Sequence, residues 1–145
     1  MIPDTVGVVE AAYQVALPDE ATWVQGILDA ALPCLDDGAG VYISTYQLNA
    51  AGQYDIAQLR AHGLPDSFFT AMQQLAAHMP PSDVERMLCR PVGLMSEMLG
   101  GPARYTLTED LAVDLGVVDV LGVVARDPIG IGAMIGVPLR QRTAL

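Results

Sequence analysis

Apolar residues recur along the chain with helical spacing in some stretches and strict alternation in others. From Thr5 to Leu17, Val6, Val9, Tyr13 and Leu17 fall on one helical face, and Val8, Ala12 and Val15 fall on another. The spacing predicts a helix that is apolar on two sides and therefore needs two partners. Pro18 stops it. Asp19 is placed to cap a second helix, along which Trp23, Val24, Ile27, Leu28 and Ala31 keep core-facing positions until Pro33. Gln25 and Asp29 point away from that stripe, so this helix is one-sided and suited to docking on a sheet.

After Asp36, Asp37 and Gly38 the period changes to two. Val41 to Leu48 and Gln53 to His62 are strand-like runs joined through a loop of Ala50, Ala51 and Gly52, with Gly52 in the left-handed position. That loop sets Asn49 opposite Gln53. The resulting register pairs Val41 with Ala61, Ile43 with Leu59 and Thr45 with Ala57 on a dry face turned to the N-terminal helices. Tyr42 with Arg60, Ser44 with Gln58 and Tyr46 with Ile56 then form a polar-tipped face.

Pro65 and Asp66 open a helix whose Phe68, Met72, Leu75 and Met79 share one stripe, and Pro80 and Pro81 end it. Ser82 to Glu85 spells a capping box for a short helix that stops before Pro91. Val92 to Leu99 predicts a further helical turn or two. Thr106 to Glu109 repeats the capping pattern and starts a helix through about Leu115. Val117 to Ala125 and Ile131 to Leu139 form a second hairpin across Arg126 to Gly130. The order predicts an α+β domain occupying all of residues 1–145, with a mostly antiparallel sheet of about five strands.

Composition narrows the functions this domain can serve. The net charge is -10, lysine is absent, and the few arginines stand singly, which excludes direct nucleic-acid binding by clustered cations. Apolar residues make up 52% of the chain and charged residues only 17%, a surplus that predicts a homodimer covering the second face of the first helix. Charges at Asp114, Asp119, Arg126 and Asp127 interrupt the most hydrophobic stretch, so no span crosses a membrane, and no secretory leader opens the chain. The expected location is cytoplasmic. In that setting Cys34 and Cys89 read as two small buried hydrophobes rather than a disulfide, and neither has metal-ligand spacing.

Candidate chemistry is sparse, and no catalytic set, metal site or cofactor is expected. Gly130, Gly132 and Gly136 sit in a hairpin rather than between a strand and a helix, so they read as turn and close-packing positions, not a dinucleotide site. Asp36–Asp37 and Glu109–Asp110 open a turn and a helix. His78 ends a helix, where the dipole favours a cation. Asp119 lies among valines and must find a donor. The remaining possibility is a ligand site on the polar-tipped face. Tyr42, Tyr46 and His62 there combine ring surface with hydrogen-bonding tips, while Met95 and Met98, in a roof from Ser82 to Leu99, repack around variable shapes.

The run from Leu115 to Pro128, followed by Gly130, Gly132 and Val137-Pro138-Leu139, resembles the GAF-like sensor domain at the N-terminus of bacterial LuxR-type regulators. The resemblance implies a GAF-like sheet with helices on both faces, and a non-catalytic sensory or dimerisation module that binds a small molecule or partner. The usual closing helix and helix-turn-helix output domain are missing, so DNA is expected only through an absent C-terminal domain. The alternative is a small redox enzyme on a GAF-like scaffold. The contexts of Cys34 and Cys89 do not form a recognisable redox pair.

Overall fold

The computed structural model describes residues 5–14, 19–98 and 116–140. In chain order these residues form α1 (Thr5–Ala12), α2 (Glu20–Leu35), β1 (Val41–Leu48), β2 (Tyr54–His62), α3 (Asp66–His78), α4 (Pro81–Leu88), β3 (Val92–Leu94), α5 (Met95–Met98), β4 (Asp119–Arg126) and β5 (Ile131–Leu139). The strands make one five-stranded antiparallel sheet in the order β2-β1-β5-β4-β3. Pairing of β1 with β5 joins the first hairpin to the last, so the fold is α+β as the pattern predicts. The second expected capping box and its helix lie outside the described residues.

One face of the sheet is aliphatic. Val41 and Ile43 meet Val24, Ile27 and Leu28 of α2, with Ala11 and Ala12 of α1 and Ile135 of β5 at the margin. Each such side chain withdrawn from water contributes about 1.5–3 kcal/mol, so the α2 stripe is what holds the helix down. Asp19 caps α2 by accepting the Thr22 amide at 2.6 Å, a bond that holds its carboxyl below the ordinary range. Contrary to the expected stop at Pro33, α2 continues to Leu35, and the Asp36 amide donates to the Leu32 carbonyl at 3.0 Å. In the last turn a proline removes only one helical bond, and packing of Leu32 and Leu35 outweighs it.

The other face carries the larger core. Phe68, Met72 and Ala76 of α3, Val84, Met87 and Leu88 of α4, and Met95 and Met98 of α5 cover Tyr42, Tyr46, Val120, Val124 and Met134. Helices therefore lie on both faces. The Val92 segment is a strand rather than the expected helical turn: β3 pairs with β4, and the helix starts only at Met95. The Ser82 capping box does not form either. Pro81 takes the first position of α4, which places Ser82 inside the helix, where its side chain cannot act as a cap.

The first hairpin keeps its expected loop and loses its expected faces. The Asn49 amide donates to the Gln53 carbonyl at 3.0 Å, Gly52 has φ 78°, and Tyr46 pairs with Ile56 as predicted. Beyond Tyr46 a β-bulge adds one residue to β2, so Thr45 pairs with Gln58, Ser44 with Leu59, Tyr42 with Ala61 and Val41 with His62. The Thr45 hydroxyl accepts the Gln58 amide at 3.1 Å, giving a partner to a group the bulge displaces. A one-residue shift exchanges faces. Val41 and Ile43 do face α2, but Leu59 and Ala61 turn to the larger core and Ala57 is exposed.

Candidate functional site

Alternation along β1 places Tyr42, Ser44 and Tyr46 on the face covered by α3, α4 and α5. Across the β1–β5 ladder, Tyr42 stands opposite Gly136 and Tyr46 opposite Gly132. Each ring lies over its glycine so closely that a Cβ at either position would overlap it. Phe68 of α3 meets Tyr42 with ring centroids 4.9 Å apart, and Tyr54 of β2 stacks on Tyr46 at the same separation. Further along the sheet, Gly93 and Gly122 pair as neighbouring seats for Met98, which a Cβ at either position would approach to 3.3 Å. Six of the seven methionines of the chain collect in this layer: Met72, Met79, Met87, Met95, Met98 and Met134. They pack as adaptable thioethers around a rigid aromatic row.

Hydroxyl groups are enclosed in this apolar layer. Tyr46 donates to the Ala125 carbonyl at 3.3 Å, and burial raises its phenol above the ordinary value. Tyr54 is raised further, again by burial, with the Ser44 hydroxyl tempering the rise. Yet Ser44 Oγ and the Tyr54 hydroxyl, both out of contact with water, lack a hydrogen bond of normal geometry. The two hydroxyls are near neighbours that stop short of a proper bond. Such buried polar atoms carry a desolvation cost of about 1–3 kcal/mol each. The two hydroxyls are the hydrogen-bonding groups that this apolar layer offers to an uncharged partner.

The structure brings Tyr42, Tyr46, Met95 and Met98 into this single layer, all of them buried. The face expected to be polar-tipped is thus an interior surface. His62 stands apart: the bulge sets it opposite Val41, where its imidazole is exposed and 4.0 Å from the Asp36 carboxylate. Ser44 and Tyr54 were the members that sequence reasoning missed. The available signal was the four-residue spacing shared by Tyr42 and Tyr46 with Gly132 and Gly136, which marks ring-on-glycine pairs once two strands are aligned.

The other candidates take structural parts. Asp36 accepts the Gly38 and Gly40 amides at 2.9 and 3.1 Å, and Asp37 accepts the Ala39 amide at 3.2 Å, so the acidic pair builds a turn. Asp119 is buried and accepts from the Ser96 amide at 3.1 Å, from the Ser96 hydroxyl and from the Val120 amide at 2.8 Å. It ties α5 to the start of β4. His78 closes α3, its Nδ1 2.8 Å from the Gln74 carbonyl. Both cysteines are free, and neither is buried as expected: Cys34 is half-buried and Cys89 exposed. Cys34 belongs to α2 on the aliphatic face and Cys89 follows α4 on the opposite face, so the sheet separates them. Among the described residues, no three metal-binding side chains come together, and no helix is long and apolar enough to cross a membrane.

No family model matches the chain, and a search of curated proteins finds no significant relative.

Proposed function

We propose that this chain is a non-catalytic sensory and dimerisation module of a bacterial LuxR-type transcriptional regulator, acting in the cytoplasm, and that it binds a small uncharged molecule in the aromatic layer. The observation that carries the ligand site is the pair of enclosed hydroxyls, Ser44 and Tyr54, left without a proper hydrogen bond inside a methionine-rich layer. A ligand carbonyl, amide or hydroxyl entering there completes their bonding, and the thioethers shift to accept its apolar part. The regulatory role rests on the resemblance of the 115–139 segment, with DNA contacted by a domain beyond this sequence.

Dimerisation through the N-terminal helix has its own support. Ala11 and Ala12 turn α1 toward α2, and the Trp23 indole N–H donates to the Ala12 carbonyl at 3.1 Å. Val6, Val9 and Tyr13 remain 63%, 54% and 79% exposed, an apolar ridge suited to a second copy. Sedimentation should show a dimer at tens of micromolar that Val9→Glu dissociates; a monomeric parent chain would refute this part.

The ligand site is tested by thermal shift with a panel of small uncharged amides, lactones and alcohols. A binder selective for the folded chain raises the melting temperature by mass action. Tyr54→Phe should reduce that rise while leaving the unliganded protein at least as stable. If no compound raises the melting temperature, or if the rise is identical in Tyr54→Phe and Ser44→Ala, the aromatic layer is a soft core and the ligand reading fails.

A further inference from the structure

On the aliphatic face, α2 lies over β1 and β2, and beyond the flank of its first turn a cleft of about 300 Å³ opens toward β5 and β4. It is separate from the Tyr54–Ser44 site, with the sheet between them. Its depth comes from small residues, Gly132 and Ala133 on β5 and Ala125 on β4, and one wall is the indole of Trp23. That indole is held in place by its bond to the Ala12 carbonyl. The lining is mostly apolar, and the volume admits one ring with a short chain, at the lower end of the range for small-molecule sites.

The charge at the mouth selects among such molecules. Glu20, Arg126 and Asp127 border the cleft. Arg126 is committed elsewhere: its two terminal nitrogens donate to the two carboxylate oxygens of Glu85 at 3.1 and 3.2 Å, pairing charge with charge. Asp127 gives one oxygen to the Ile129 amide at 2.9 Å, which leaves its charge in place, and Glu20 makes no ion pair among the described residues. With Arg126 cancelled by Glu85, the mouth is negative, on a chain whose net charge is -10. An anionic ligand is repelled. An ammonium group is attracted by both carboxylates and by the Trp23 ring face.

We propose that this cleft binds small primary amines with an aromatic or compact apolar body, the body lying against Trp23 and the ammonium at Glu20 and Asp127. The chain has one tryptophan and it lines this cleft, so its fluorescence reads occupancy there. Titration with 2-phenylethylamine should give a saturable change in Trp23 emission, while phenylacetate gives none and 2-phenylethanol binds several-fold more weakly. Glu20→Gln and Asp127→Asn should each weaken the amine about two- to fivefold at low salt, as expected for exposed ion pairs. Asparagine at 127 keeps the oxygen that accepts the Ile129 amide, so that variant isolates charge from turn structure. Ala125→Phe, which fills the cleft from an exposed position, should abolish the response with the circular dichroism unchanged. Equal responses to all three probes, a non-saturable response, or binding that survives both charge removals unchanged would overturn the proposal. Emission that shifts with protein concentration and not with amine would overturn it too, by assigning the cleft to a second copy of the chain.

Discussion

The two faces of the sheet solve the problem of covering a strand surface in different ways. The aliphatic face uses Val41 and Ile43 against Val24, Ile27 and Leu28, similar branched side chains that interlock with no polar atom to satisfy. The opposite face uses rings seated on glycines, thioethers over the rings, and hydroxyls enclosed without full hydrogen bonding. Both exclude water, but they fail differently. An aliphatic layer loses stability in proportion to the volume removed from it. The glycine seats under the rings have no room to gain an atom, whereas the methionines over the rings tolerate change.

The largest effect should come from adding an atom where the contrast is sharpest. Gly136→Ala puts a methyl group into the Tyr42 ring, which is fully buried and backed by Phe68, so it should lower unfolding free energy by about 3 kcal/mol or more. Chemical denaturation reads this directly; a loss within error would mean the ring is free to move, and the distinction between the faces would collapse. On the aliphatic face the corresponding change is a removal. Val24→Ala, at a position with no exposed surface, should cost about 2 kcal/mol.

Tyr54→Phe sharpens the comparison in the opposite direction. Deleting a buried hydroxyl without a proper bond should stabilise the unliganded protein by about 1 kcal/mol, where deletions on the aliphatic face only destabilise. The same side chain predicts an alkaline limit. Burial holds its phenol above the ordinary value of 10.0, so the unfolded chain loses this proton first and stability, unaffected below that pH, falls as pH rises past it. The melting temperature should fall above about pH 10, and less steeply in Tyr54→Phe.

The smallest effect concerns the exposed tie between the roof and the sheet, Arg126 to Glu85. Glu85→Gln should lower the melting temperature slightly at low salt and not at all in high salt, since screening removes what an exposed pair contributes. A salt-independent loss would show that α4 depends on this contact more than on Val84, Met87 and Leu88.

What could be read from the residues follows the range of the forces involved. The stripe of α3 and the cap of α2 were legible because each depends on neighbours within four positions. The Asn49 loop was legible for the same reason, its side chain accepting the Ala51 and Gln53 amides at 2.9 and 3.0 Å. The faces of β2 were not, because a bulge after Ile56 is accepted only where Thr45, across the ladder, takes the Gln58 amide. β3 escaped notice because three residues carry no period, and they become a strand only where β4 offers its free edge. The candidate site was half-legible: Tyr42, Tyr46, Met95 and Met98 were named, His62 was carried to the other face by the bulge, and Ser44 and Tyr54 came into view only with their burial under the helices.

By itself, then, the order of apolar and polar residues determined that this chain makes two N-terminal helices, two hairpins with helices between them, and an antiparallel α+β sheet, since helix stripes, strand alternation and tight turns are properties of short segments. Only the tertiary structure decided which side of the sheet the residues of β2 beyond Ile56 occupy, that Gly132 and Gly136 are seats for Tyr46 and Tyr42, and that two hydroxyls are enclosed without a full set of bonds. Those outcomes join residues tens of positions apart, and their energies exist only when both partners are already in place.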